Sequence, residues 1–165
     1  MLKASFINPF IKAASEVLRA ECSLTARRGQ LRIATSKATS AEVTVIVGVT
    51  GDLQGIVLYG MSERTAKALA AIMSNIQVPI FDSMAESAIA ELGNMITGLA
   101  TSGLEAEGYL CQLTPPTIVS GRGVIISTIN IQHLVIPVET DHGGLEINVA
   151  IRNGSTVEKG FGNYG

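Results

Sequence analysis

Apolar side chains recur at helical spacing in three parts of the chain. In the first of these parts, Asn8 or Ser5 can cap the helix and Pro9 falls near its first turn. In the second, Ser62 is a typical helix cap, and the apolar positions after it extend for about three turns. The predicted helices are a first that ends at about Glu21, a second that follows Ser62, and a third from about Asp82 to Leu104.

The remaining sequence alternates branched apolar and polar residues, as β-strands do. Residues 25–61 read as a short strand followed by a hairpin, with Gly51-Asp52 as its turn. After the third helix, three turn signals divide about three strands: Pro115-Pro116, Gly121–Gly123 and Gly143-Gly144. Helices that alternate with such strands predict an α+β fold, with a mostly antiparallel sheet and the helices packed on one face.

The length of the chain fits one domain. With 165 residues it can bury a core without disulfides or a metal, and 47% of the residues are hydrophobic while only 4% are aromatic. The core must therefore consist mainly of aliphatic side chains. We expect a single domain over residues 1–152, followed by a small, polar and flexible tail over residues 153–165.

Charge and hydropathy exclude several classes of function. The net charge is −2, and Arg27-Arg28 is the only basic cluster, so the sequence does not predict binding to nucleic acid or to an anionic membrane. No apolar run reaches the length of a membrane span. The start of the chain contains Asn8, Pro9 and Lys12. These residues interrupt its apolar run before the run reaches the length of the apolar segment of a secretion signal. The sequence therefore predicts a cytoplasmic protein.

Cysteine and histidine offer no chemistry of their own. Cys22 and Cys111 lie far apart, and neither has metal-ligand spacing with His133 or His142. We expect both cysteines to be reduced thiols in or near the core. Neither a metal site nor a cysteine nucleophile is predicted.

The third helix carries a polar stripe within the segment "ESAIAELGNMITG", residues 86–98. At about 100° per residue, Ser87, Glu91, Asn94 and Gly98 fall within about 60° of one another. We call these four residues the ridge. The face predicted to pack on the sheet consists of Phe81, Ala85, Ala88, Ile89, Leu92, Met95, Ile96 and Leu99.

Small residues lie between the ridge and that apolar face. Ala90, Gly93 and Thr97 occupy these positions, and each glycine inside the helix costs about 1 kcal/mol relative to alanine. One interpretation is that small residues let a second surface approach Glu91 and Asn94. The alternative is an ordinary solvated face whose glycines allow tight packing inside the protein. A carboxylate beside a carboxamide could hold a cation and position a water molecule.

The pattern Ser-x-x-x-Glu-x-x-Asn at Ser87, Glu91 and Asn94 resembles the phosphatase signature of the chemotaxis CheC/CheX/FliY group. The chain as a whole resembles a CheX-type member. The resemblance extends over residues 5 to about 151 and includes the flanking segments "INPFIKAASEVL", "GDLQGIVLYGMSERTAKALAAIM" and "LTPPTIVSGRG".

The resemblance implies a function and roles for the ridge. Members of the group hydrolyse the aspartyl phosphate of a CheY-like response regulator. By this likeness, Asn94 orients the attacking water, Glu91 pairs with a lysine of the regulator, and Ser87 and Gly98 belong to the binding surface. No cofactor of the chain's own is implied, since the Mg²⁺ of such a reaction belongs to the partner.

The first helix contains an incomplete copy of the ridge. When "KAASEVLRA" is aligned with "SAIAELGNM", Glu16 matches Glu91, but Arg19 stands where Asn94 does. The resemblance therefore implies one active helix per chain, as in CheX proteins, and a homodimer joined through sheet edges. Two other functions stay open from the sequence. One is a binding module of the same fold without catalysis; the other is a small-molecule-binding domain, for which the sequence shows no sign.

Overall fold

The structure is a computed structural model that describes residues 3–35, 38–39, 41–123, 126–127 and 132–154. These residues contain three helices and ten strands. The helices are α1 (Ala4–Cys22), α2 (Glu63–Ser74) and α3 (Ser83–Ala106). The strands are β1 (Arg27–Arg28), β2 (Arg32–Ala34), β3 (Ala38–Thr39), β4 (Val43–Gly51), β5 (Leu53–Met61), β6 (Cys111–Leu113), β7 (Thr117–Ser120), β8 (Ile126–Ser127), β9 (His133–Thr140) and β10 (Gly143–Asn153).

Four long strands form the centre of an antiparallel sheet in the order β9-β10-β5-β4. Short strands extend it at both ends, because β1 and β2 pair with β9 while β6 and β7 pair with β4. The β3 and β8 strands form a separate antiparallel pair. The helices contact one another, and α3 lies on the β4 side of the sheet. The predicted fold class, α+β with an antiparallel sheet, is confirmed.

The hairpin predicted at Gly51-Asp52 is confirmed as the β4–β5 connection, with Val43 opposite Met61 at its other end. The strand count after the third helix was too low, since five short or long strands follow α3 instead of about three. Gly143 and Gly144 are the first residues of β10, and the turn before them is Asp141-His142. The Thr140 hydroxyl donates to the Gly143 carbonyl at 2.7 Å and thereby closes this turn.

The start of α1 was predicted too late. The helix begins at Ala4 after Lys3, so neither Ser5 nor Asn8 is its cap, and Pro9 lies inside the helix. Burial of the first turn explains the difference: Phe6 is fully buried, and its ring meets Tyr109 edge-on at 5.1 Å between centroids. This tertiary contact holds a turn that has no side-chain cap, which a local pattern cannot reveal.

The core is mainly aliphatic, as the composition predicts, with Phe6, Phe10 and Tyr59 as its fully buried aromatic residues, and it fills the space between the helices and the sheet. Cys22 is buried in it, and burial, together with the nearby charge of Glu21, raises the pKa of its thiol to about 11. Cys111 is half-buried, and burial raises the pKa of its thiol as well. Both cysteines are free thiols, as expected, and their pKa values keep them protonated near pH 7.

Two further observations concern the limits of the chain. The last strand runs to Asn153, which pairs with Leu53, and residues 155–165 of the predicted tail lie outside the described residues.

Among the helices of the described residues, none is both long enough and apolar enough to cross a membrane.

Candidate active site

The α3 helix begins where the sequence predicts. Asp82 is its cap, and the Asp82 carboxylate accepts a hydrogen bond from the backbone N–H of Ala85 at 2.9 Å. The helix then runs for 24 residues beside α1 and α2. A capped start of this kind fixes the register of the helix, and with it the positions of all four ridge residues.

The face of α3 that packs on the sheet differs from the predicted one. Gly93 and Thr97 are buried, although the sequence placed them between the faces, and Leu99 is 41% exposed although it was assigned to the packed face. Ala88 and Met95 of that face are only half-buried. The buried arc is therefore rotated by about 70° around the helix from the predicted arc, at about 100° per residue.

Gly93 explains the rotation. A Cβ atom at this position would lie 2.7 Å from Cγ1 of Val45 and 3.3 Å from Cδ2 of Tyr59. The absence of a side chain thus lets α3 lie directly on β4 and β5. The interpretation that Gly93 gives clearance to a partner was wrong, because this glycine faces the interior of the protein.

A buried hydrogen-bonded chain holds α3 in this orientation. The Thr97 hydroxyl donates to the Gly93 carbonyl at 2.7 Å, and the Tyr59 hydroxyl lies 2.7 Å from the same Thr97 oxygen. Because a hydroxyl has only one hydrogen to donate, Tyr59 is the donor to Thr97. Burial raises the pKa of the Tyr59 phenol, so it stays protonated and can donate throughout the neutral range.

We expect Tyr59→Phe to lower the free energy of unfolding by about 1 kcal/mol. The substitution keeps the ring in the core but leaves the buried Thr97 oxygen without its donor. Urea denaturation of the two proteins measures the difference. An unchanged midpoint would show that the Tyr59 hydroxyl does not contribute to the attachment of α3.

The ridge lies on the opposite, solvent-facing side of this attachment. Ser87 and Glu91 are exposed, and Asn94 and Gly98 are half-buried. The Ser87 hydroxyl donates to the Ser83 carbonyl at 3.0 Å, so its hydrogen is already engaged within the helix. In the described part of the chain, neither Glu91 nor Asn94 has a hydrogen-bonding or ion-pair partner for its side chain. The structure thus places all four ridge residues together and leaves the two chemically useful ones available.

Strands of the same chain border one side of the ridge. The Ser120 hydroxyl in β7 donates to the Glu86 carboxylate at 3.3 Å. A Cβ atom on Gly98 would lie 3.9 Å from Leu113 in β6, which is an ordinary contact distance. The structure therefore leaves room for a methyl group at Gly98, unlike at Gly93.

The related segment of α1 does not form a second ridge of this kind. Glu16 lies 3.9 Å from Lys12 in an ion pair between successive turns, and Arg19 is exposed. The carboxylate at this position is thus paired with a lysine of its own helix, and no carboxamide follows it at Arg19. That the chain has one active helix stays a prediction.

A sequence model of the family described as chemotaxis phosphatase CheX matches residues 43–139, which include β4, β5, α2 and all of α3. The chain belongs to the chemotaxis phosphatase CheX family. The match contains the whole ridge and the β4–β5 surface on which α3 packs. The enzyme class expected from the sequence, a phosphatase, is the class of this family.

Individual relatives agree with the assignment to the CheX family. The CheY-P phosphatase CheX of Thermotoga maritima is 28% identical over 155 residues, which are 93% of this chain and 99% of the relative. The CheX in the crystal structure of a CheX-CheY-BeF3-Mg²⁺ complex from Borrelia burgdorferi is 30% identical, with 90% of this chain and 98% of that chain covered and a TM-score of 0.78.

A more distant crystal structure supports the CheX fold alone. A chemotaxis protein CheX from Desulfovibrio desulfuricans superimposes with a TM-score of 0.82, covering 90% of this chain and 99% of that chain. The two sequences are 24% identical. The three-helix, antiparallel-sheet architecture is thus common to chains whose sequences have diverged widely.

Sequence reasoning missed the residues that support the ridge from below. Val45 and Tyr59 decide how α3 lies on the sheet, yet both are far from it in sequence. Tyr59 stood out as one of only three tyrosines, and its place in a strand of apolar residues could have suggested a buried hydroxyl in need of a partner. Which partner it finds depends on the fold.

Proposed function

We propose that this CheX family member hydrolyses the aspartyl phosphate of a CheY-like response regulator. In this proposal Asn94 orients the attacking water and Glu91 pairs with a lysine of the regulator near the phosphoryl group. The observation that carries the assignment is the position of Glu91 and Asn94 on the solvent side of a helix whose other side is fixed to the sheet, with no side-chain partner for either among the residues that the structure describes.

The chemistry suits these two groups. A carboxamide can donate one hydrogen bond and accept another, so Asn94 can hold a water molecule in line with the phosphorus atom. Phosphoryl transfer is catalysed mainly by positioning and by electrostatic stabilisation, and an acyl phosphate needs little further help. Glu91 is exposed and can form an ion pair with a cation of a docked protein.

The metal of the reaction belongs to the regulator in this proposal. In the part of the chain that the structure describes, no three His, Cys, Asp or Glu residues are grouped so that they could hold a metal ion. The crystal structure of the Borrelia burgdorferi relative is that of a complex with CheY, BeF3 and Mg²⁺. This supports a phosphorylated receiver domain with its own Mg²⁺ as the substrate of the ridge.

The proposal includes a homodimer and a cytoplasmic location. Both ends of the sheet carry strands of only two to four residues, β1 and β2 at one end and β6 and β7 at the other. A second copy that pairs with such an edge would extend the sheet and cover its open backbone groups. A cytoplasmic location follows from a response regulator as the substrate.

A phosphate-release assay tests the proposed activity. The CheY-type receiver of the same organism is phosphorylated in excess Mg²⁺, and loss of its phosphate is followed with and without catalytic amounts of this protein. We expect the native chain to accelerate hydrolysis by at least about tenfold over the receiver alone. Binding without acceleration would instead favour the non-catalytic binding module.

A further inference from the structure

The solvent-facing side of α3 carries apolar side chains beside the ridge. Met84 is 52% exposed and Leu99 is 41% exposed, while Ala88 and Met95 between them are half-buried. We call Met84, Ala88, Met95 and Leu99 the apolar row. Met84 and Leu99 lie at the two ends of this row, and the partly exposed Ala88 and Met95, which also pack on the core, join them into one apolar strip. A continuous apolar strip of this kind, unlike single exposed apolar residues, is typical of a contact surface.

The apolar row runs parallel to the ridge. At about 100° and 1.5 Å per residue, it lies about 80° around the helix from the ridge and is about 22 Å long. Both surfaces thus face solvent along the same three to four turns of one helix. A globular partner that touches Asn94 therefore also meets the apolar row.

The other flank of the ridge is closed by this chain. Glu86 accepts a hydrogen bond from Ser120 of β7, and Leu113 of β6 lies near Gly98. A partner at the ridge can extend only away from these strands, which is toward the apolar row. Beyond Leu99, a groove of about 720 Å³ continues between α3 and α1, and Lys12 and Glu16 lie along its α1 side.

The size of a specific interface requires more than the ridge. Stable docking buries about 800 Å² on each partner, which four residues cannot supply. Interfaces are apolar at their centre, and a few buried side chains carry most of the binding energy. Among the described residues, the apolar row is the apolar surface continuous with Glu91 and Asn94 along α3.

We propose that the apolar row is the docking surface for the receiver domain, with Met84 and Leu99 packed against apolar side chains beside the receiver's phosphorylation site. This inference rests on the proposed function and assigns binding and catalysis to different residues. Met84 and Leu99 supply the apolar part of the affinity, Glu91 supplies an ion pair, and Asn94 sets the rate. Serine at either position removes apolar contact area but neither charge nor hydrogen bonds of the ridge.

The test separates binding from catalysis. The dissociation constant is measured for the receiver of the same organism, loaded with BeF3⁻ and Mg²⁺, with native protein, Met84→Ser and Leu99→Ser. Steady-state hydrolysis of the phosphorylated receiver gives kcat and KM for the same proteins. We expect each variant to raise the dissociation constant and KM about tenfold and to keep kcat within about twofold.

Ile33→Ser is the matched control. Ile33 is 61% exposed on β2, which three strands separate from β4, so its loss should leave the dissociation constant for the receiver unchanged. Because β2 lies at one of the two sheet ends where a second copy could pair, the oligomeric state of Ile33→Ser is compared with that of the native protein. Native affinity in both Met84→Ser and Leu99→Ser would overturn the inference, even with phosphatase activity intact. If the native protein binds the receiver but does not hydrolyse its phosphate, the proposed function is wrong. The measured dissociation constants would still decide whether the apolar row is the docking surface. Absence of any binding by the native protein would overturn both.

Discussion

Asn94→Ala should lower kcat for hydrolysis of the phosphorylated receiver about 10²-fold while the receiver still binds. The carboxamide is the group proposed to hold the attacking water, and alanine can neither donate to that water nor accept from it. Asn94 is half-buried and has no side-chain partner among the described residues, so its removal breaks no internal hydrogen bond. The loss should therefore appear in the rate and not in the folding of the protein.

Phosphate release in single-turnover conditions measures this effect, and affinity for the BeF3⁻-loaded receiver shows that docking survives. Asn153→Ala is a suitable control, because Asn153 is an exposed asparagine at the far end of β10. Hydrolysis by Asn94→Ala at the native rate would remove this residue from the mechanism, although the family assignment would stand.

Glu91→Gln tests the proposed ion pair with the receiver separately from the proposed positioning of water by Asn94. Glutamine keeps the shape of the side chain but loses the charge that is proposed to pair with the receiver's lysine. Its effect should be weaker binding with less dependence on salt, in addition to a slower rate. Native affinity with an unchanged salt dependence would show that Glu91 makes no ion pair with the receiver.

Local signals in the sequence were sufficient to predict α2, α3 and the hairpin before α2. Asp82 and Ser62 cap their helices through side-chain oxygens that accept backbone N–H groups, and such caps depend only on residues within one turn. The ridge followed from the helical period alone, since Glu91 and Asn94 must share a face once the helix is in register. These features could be predicted because no distant residue is needed to produce them.

The features that sequence did not predict depend on distant contacts. The extra turn at the start of α1 is held by Phe6 against Tyr109, and the rotation of α3 is set by Val45 and Tyr59. Bulky apolar residues such as Leu99 suggested a different buried face. The helix instead packs through its small residues, because a close approach lets neighbouring side chains fill the space around it.

The two glycines of α3 should therefore respond in opposite ways to alanine. Gly93→Ala places a methyl group 2.7 Å from the fully buried side chain of Val45. It should lower the free energy of unfolding by about 1–2 kcal/mol in spite of the better helix propensity of alanine. In Gly98→Ala the added methyl group meets only Leu113, at 3.9 Å. This substitution should raise the free energy of unfolding by up to about 1 kcal/mol. Urea denaturation of the three proteins provides the comparison.

Activity distinguishes packing from clearance at Gly98. If the half-buried Gly98 gives room to the receiver, then Gly98→Ala should be more stable than the native protein yet bind the receiver less tightly, because the new methyl group projects beside Asn94. If Gly98→Ala is more stable but binds the receiver as tightly as the native protein does, then Gly98 affects only the stability of the helix and gives no room to the receiver. A stabilised Gly93→Ala would contradict the packing of α3 on β4, since the methyl group can fit only if the helix lies farther from Val45.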